Sequence, residues 1–355
     1  MEPMTKDPEQ RGNGFSFNIK EIIGSLGDLG TLLPLTIGLI VLNGVSSGRA
    51  FMLLGITYLA VGLFYRLPVP VQPLKATAAI AIAAGATTGQ IRAAALWTAL
   101  ILFVLTVTRL IDFLSDIFPK VLVHGLQFGL GLIMVRSGWK LVLSFPHSLG
   151  STVHGMHAAQ ASAGWLPSGA DFSSALILLV LPQIPLTLGN AIVATRDCAL
   201  SYFGPKGRHV TAGSLAGTMA LANLCSGIFG GTPVCHGAGG LTAHYRFGAR
   251  TGAVGVILGT VFIAAGLAGT HSLSILSAAP GWLLGGLLAY VGVRHGLLAA
   301  DSLRQPASAV SVLGMGAVSF QTGNLLLTLA VGLAIKFLLQ DAPAWARRRA
   351  AERAA

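Results

Sequence analysis

The chain has 355 residues, of which 53% are hydrophobic and only 10% are charged, with a formal net charge of +11. Its mean hydropathy is +0.73. A soluble domain carries roughly 25% charged residues, so this composition excludes one and describes an integral membrane protein. The basic excess suggests nucleic acid at first sight, but most lysines and arginines sit in short loops and tails, and no nucleic-acid partner is expected.

Apolar runs of about 17–25 residues recur along nearly the whole length, without the ten-residue alternation of a β-barrel. The reading is about twelve membrane segments, all helical. In chain order they cover 21–42, 49–66, 69–86, 92–114, 120–142, 172–197, 209–230, 232–247, 250–270, 280–300, 306–320 and 321–340. The third and eighth are short and begin at prolines. Residues 1–20 form a polar tail without a signal-peptide pattern, and 341–355 form a basic tail.

The even count puts both termini on one side of the membrane. With the termini cytoplasmic, most Lys and Arg residues fall inside, and only Arg49, Arg92, Arg136 and Lys140 fall outside. The longest loop, 143–171, has no Lys or Arg and lands outside. Lys75 is the one cation left within the membrane. The expected location is a bacterial inner membrane, in contact with lipid. The assembly, with a homodimer as one candidate, is left open.

Two stretches repeat at an offset of about 162 residues. Ser25-Leu26-Gly27-Asp28 returns as Thr187-Leu188-Gly189-Asn190, and Pro70-Val71-Gln72 returns as Pro233-Val234-Cys235. Pro119 and Gly125 match Pro280 and Gly286, and Val135-Arg136-Ser137-Gly138 echoes Val293-Arg294-His295-Gly296. The first repeat, 21–142, holds five expected spans and the second, 172–340, holds seven. An odd first half makes the second start from the opposite face, so the repeats are inverted. Two packings of such halves give alternating access to one site.

The site belongs where the repeats break. Pro68, Pro70 and Pro73 crowd the segment before Lys75, and proline lacks an N–H and clashes with the preceding helical turn. That stretch should be extended, with a half-helix starting near Pro73. The second copy, Gly230 to Gly240, should start its half-helix near His236. Two half-helix N-termini meeting near the midplane would carry free N–H donors and partial positive charge, an anion site to which Lys75 adds a full charge. Thr31, Gln72, Gln183, Thr187, Asn190, Thr232 and His236 are neutral donors near the same breaks. The alternative for Lys75 is a structural ion pair with Asp28. Asp28, the only acidic residue in its span's apolar part, is a candidate proton carrier. Its alternative is a helix-packing hydrogen bond.

No metal and no cofactor are expected. Cys198, Cys225 and Cys235 have no metal-ligand spacing, Cys235 with His236 makes a poor zinc set, and His154 and His157 lie in the outer loop. Enzyme motifs are absent from the sequence.

Four motifs together resemble the molybdate transporter family related to sulfate permeases. They are Gly27-Asp28-Leu29-Gly30-Thr31, Pro70 to Lys75, Gln183 to Asn190, and Pro233 to Gly240 followed by Tyr245 to Arg250. The resemblance implies an all-α polytopic fold like that of sulfate and uracil permeases, with core and gate domains built from inverted repeats. It lacks the STAS domain that sulfate permeases usually append, and residues 143–171 stand where two further spans of the fold would lie. Its first, third, eighth and tenth helices line the site. They map here onto the segments with Asp28, Gln72 to Lys75, Gln183 to Asn190, and Thr232 to Gly237. The expected substrate-binding residues are therefore Lys75, Gln72, Thr31, Thr187, Asn190, Thr232, Cys235, His236 and Gly237, with Asp28 for coupling. The expected activity is secondary active import of molybdate, with proton coupling through Asp28 as its extension. The rivals are a sulfate carrier, an anion channel of the same fold, a nucleobase permease and a membrane-bound sensor.

Overall fold

The computed structural model describes residues 15–111, 120–144, 166–269 and 280–338. Most of the 143–171 loop, with His154 and His157, and the 341–355 tail lie outside them. The elements are helical except for one two-stranded ladder. In chain order they are α1 (Ile19–Ser25), a 3-10 turn (Leu26–Asp28), α2 (Leu29–Asn43), α3 (Ser47–Tyr65), β1 (Gln72–Pro73), α4 (Lys75–Ala84), α5 (Thr88–Val107) and α6 (Lys120–Ser144). The bent pair α7 (Gly169–Val180) and α8 (Ile184–Gly207) follows. Then come α9 (Ala212–Phe229), β2 (Val234–Cys235), α10 (Ala238–Arg246), α11 (Ala253–Leu267), α12 (Gly281–Gly296), α13 (Pro306–Thr322) and α14 (Leu325–Lys336).

The expected twelve spans are not met as twelve full-length helices. Among the described residues, 6 helices are long and apolar enough to cross a membrane, or up to 7 if α7 and α8 count as one span bent by 52°. Part of the shortfall has a local cause. α4 and α10 are half-helices of 10 and 9 residues because the prolines before them forbid helix, and each starts two residues later than expected, at Lys75 and Ala238. Pro182 and Pro185 flank the bend between α7 and α8, whose π-helical stretches, Leu176–Val180 and Thr187–Ala194, lie on either side of it.

Helix pairing is close and uses glycine. α3 packs on α11, α5 on α9, and α6 on α12. A Cβ on Gly131 would lie 2.5 Å from the Gly292 carbonyl oxygen, and one on Gly292 would lie 2.6 Å from that of Gly131. Only hydrogen fits there, so the α6 and α12 backbones touch, the packing that membrane helices reach with small residues. α13 and α14 also pack on α6, which makes a second cluster beside the one around the breaks. The side chain of Arg92 on α5 donates to the carbonyls of Gly227 (3.0 Å) and Ile228 (2.8 Å), capping the C-terminal end of α9.

The two breaks meet. β1 pairs antiparallel with β2, with Gln72 opposite Cys235 and Pro73 opposite Val234. The Leu74 N–H extends the contact by donating to the Pro233 carbonyl at 2.9 Å. Asn223 on α9 donates to the Val234 carbonyl at 2.7 Å and accepts its N–H at 3.0 Å. Non-helical backbone at membrane depth needs such partners, because lipid offers none.

Candidate functional site

The crossing of the breaks sets the N-terminus of α4 and the end of β2, just before α10, on one small cavity. Its volume is about 10 Å³, room for about one water. Lys75, Gln183, Asn190, Cys235 and His295 supply its polar lining, closed by Leu186 and Ala191. A cleft of about 520 Å³ lies along the C-terminal half of α4 and α6, with Arg136, Ser137 and Lys140 on its wall.

The two half-helix ends differ. At α4 the donors are taken: the Gln183 side-chain oxygen accepts the N–H of Ala76 at 2.8 Å and of Thr77 at 3.3 Å. The Gln183 amide then donates to the Thr187 hydroxyl at 3.1 Å, and the Ala78 N–H goes to the Leu74 carbonyl at 2.7 Å. The expectation that both half-helices offer free N–H groups is therefore corrected for α4, which a side chain of the bent helix has sealed. At α10 no side chain caps the first turn, Gly239 is exposed, and its Cβ position meets nothing within 4 Å. The open end belongs to α10.

Lys75 opens α4 and is 8% exposed. Its Nζ lies 3.0 Å from where a Cβ on Gly237 would be, and the Gln72 Oε1 and Asn190 Nδ2 lie 3.3 and 3.6 Å from the same point. These three side chains and the N-cap of α10 thus converge. Among the described residues no ion pair joins Lys75 to Asp28. Asp28 instead accepts the Gln72 amide on both oxygens, at 2.5 and 2.6 Å. The Gln72 Oε1 is left buried without a partner among the described residues. A Cβ on Gly240 would run into the Gln72 amide and come within 2.8 Å of Asp28 Oδ2, so α10 rests directly on this pair.

The structure brings Lys75, Gln72, Asn190, Cys235 and Gly237 together. Cys235 lines the cavity, and its thiol points back to the Pro73 carbonyl at 3.8 Å. Thr187 is buried but lines a neighbouring apolar pocket, held by Gln183. Thr232 is buried in the second break, and Thr31 is half-buried in the first turn of α2; neither lines the cavity. The His236 ring turns away. One nitrogen meets the Pro70 carbonyl at 2.8 Å, so it carries the hydrogen, and the other lies 2.9 Å from the Thr218 hydroxyl, itself 2.9 Å from the Tyr65 hydroxyl. The site residues missing from the sequence expectation are Gln183 as a cap and His295 as a lining residue. The only sequence signal for His295 was an imidazole inside an apolar span, at the place of Ser137 in the first copy.

The family model described as "Molybdate transporter of MFS superfamily" matches residues 20–134 and 175–294. Among curated proteins, Molybdate transporter 1 of Arabidopsis thaliana is 28% identical over 403 residues, covering 88% of this chain and 88% of its own. Molybdate transporter 1 of Chlamydomonas reinhardtii is 25% identical over 426 residues, covering 77% and 82%. These relatives are plant and algal, and offer no counterpart for the expected bacterial membrane. Among solved structures, the transmembrane domain of the cyanobacterial bicarbonate transporter BicA matches with a TM-score of 0.55 at 15% identity, over 90% of this chain and 99% of that one. Murine Slc26a9, an anion transporter in the inward-facing state, matches with a TM-score of 0.57 at 13% identity, over 92% and 69%. The fold is thus that of the sulfate-permease group. The matched segments contain every cavity-lining residue except His295, one position beyond their end, and the chain belongs to the molybdate transporter family.

Proposed function

We propose that this chain is a secondary active carrier that imports molybdate, binding the dianion between Lys75, Asn190 and the open N-terminus of α10. One observation carries the reading: a buried ammonium that makes no direct ion pair among the described residues, with Asp28 reaching it only at longer range, stands beside an uncapped half-helix end. Placing a charge near the bilayer centre costs about 2.5–3.5 kcal/mol on insertion scales, and a bound oxyanion in direct contact offsets that cost more fully than a carboxylate at longer range. The helix end adds N–H donors aimed along its dipole. The names of the relatives support molybdate over sulfate as the preferred anion.

Carrier action is favoured over a channel by the cavity itself. At about 10 Å³ the site is closed to both sides in this conformation and must widen to admit an oxyanion, as alternating access requires. Inverted repeats give that motion a basis. The counterparts of α3 and α5 under the repeat offset are α9 and α11, and the observed pairs α3 with α11 and α5 with α9 are the exchange that a two-fold axis requires. Lysine and arginine placement supports cytoplasmic termini. Coupling to protons passes through Asp28 in this reading.

Uptake of labelled molybdate into proteoliposomes tests it, with wild type and Lys75→Ala side by side. Wild type should accumulate molybdate against its gradient, with sulfate competing weakly, and the variant should not. Equal uptake by both proteins would remove Lys75 and this site from the mechanism.

A further inference from the structure

His295 is 6% exposed, and its Nε2 has no hydrogen-bond partner among the described residues. Buried ring nitrogens are nearly always paired, so an orphan calls for a reason. The ring lines the same cavity as Lys75. It sits in the last turn of α12, the helix whose glycines lock it against α6. All other lining residues come from α4, α8 and β2, around the crossed breaks. His295 is thus the one group that the second helix cluster contributes.

The polar groups of the lining left free are mostly donors, with the unpaired Gln72 Oε1 as the acceptor standing nearby. Lys75 offers only donors, and the Asn190 Nδ2 is the part of its amide that comes near Gly237. The Gln183 oxygen and amide are both spent, on α4 and on Thr187. A neutral imidazole with its hydrogen on Nε2 is a donor there, which accounts for His295 and Lys75 sharing a cavity without bonding to each other. A ligand with several acceptor oxygens and no donors satisfies all three groups at once.

We propose that His295 is a direct oxyanion ligand, its Nε2–H meeting a substrate oxygen across the cavity from Lys75, so that the bound anion ties α12 to the crossed breaks. The inference rests on the oxyanion-carrier reading given above. It goes beyond that reading by naming a contact from the other helix cluster and a reason for that cluster to close on loaded substrate.

The test is initial-rate uptake of labelled molybdate by full-length wild type, His295→Ala and His295→Gln in proteoliposomes, with thermal unfolding of each. The alanine variant should raise KM about tenfold, the size of one hydrogen bond to a charged group. The glutamine variant, whose amide nitrogen can reach the Nε2 position, should recover most of the affinity. Unchanged KM in His295→Ala overturns the inference and leaves the carrier reading intact. Equal loss in both variants, with matching loss of thermal stability, makes His295 a packing residue and also overturns it. No molybdate uptake by wild type overturns the carrier reading, and the inference falls with it.

Discussion

The Gln183 side-chain oxygen accepts the backbone N–H of Ala76 at 2.8 Å, so a residue from one broken helix caps the half-helix of the other break. This contact decides which of the two half-helix ends keeps its first N–H groups free. Removing it should free α4 and loosen the crossing. Gln183→Ala should lower stability by about 1–2 kcal/mol, read as a lower midpoint of thermal unfolding in detergent. Gln183→Glu keeps the acceptor but sets a carboxylate beside Lys75. It should keep most of the stability and lose molybdate affinity. A glutamate variant that binds molybdate as well as wild type would argue against Lys75 as the anion's charge partner.

Gly237 and Gly240 should separate binding from folding. Gly237 has an extended backbone, φ −167°, which any residue adopts, and its Cβ would press chiefly on the flexible end of Lys75 at 3.0 Å, with the Gln72 Oε1 at 3.3 Å. Gly237→Ala should therefore fold normally but push the ammonium aside, raising KM several-fold. At Gly240 a Cβ collides with the Gln72 and Asp28 pair, which has no room to yield. Gly240→Ala should cost about 1–3 kcal/mol in stability, as overpacking does. Expression level and unfolding midpoint in detergent distinguish the two; equal behaviour would mean that the pair is not held as described.

Asp28 accepts the Gln72 amide on both oxygens, and an asparagine there can still accept on one. If its carboxylate carries the coupled proton, wild-type uptake should quicken under an inward proton gradient, and Asp28→Asn should lose that response while still exchanging molybdate. Gradient-driven acceleration that survives in Asp28→Asn would assign coupling elsewhere.

Thr218 joins two buried groups, the His236 ring and the Tyr65 hydroxyl, each at 2.9 Å. Thr218→Val keeps the shape, strands the His236 nitrogen and removes one of the Tyr65 hydroxyl's partners. A loss of about 1–3 kcal/mol per stranded group is expected, with Thr218→Ser recovering most of it; unfolding curves report the difference. Because the ring is turned to Pro70 and Thr218, molybdate KM should change little in the serine variant.

The breaks were legible because prolines act locally. Pro68, Pro70 and Pro73 forbid helix whatever surrounds them, and the structure places extended backbone there. Lys75 was legible for a similar reason, as a cation in an apolar segment. The partners of the polar side chains were not. Gln183 looked like one more donor for substrate, yet its oxygen closes α4, because the bend in α7 and α8 carries it to a helix end about 107 residues away in sequence. His236 looked like a ligand because it follows Cys235. In an extended segment alternate side chains face opposite ways, and its ring points to Pro70. His295 was overlooked because its role depends on how α12 lies against the breaks, which no local pattern records.

The ladder between β1 and β2 is two residues long, yet it works as a weld. Gln72 is held to Cys235 and Leu74 to Pro233, so the two halves of the anion cradle cannot drift apart without breaking backbone hydrogen bonds at membrane depth. In the proposed carrier the cradle would therefore travel as one stiff piece, and the sliding that exposes it to either side would fall on the seam against α6 and α12. A stiff cradle is also the kind of gauge that can tell apart two tetrahedral dianions of equal charge by small differences in size.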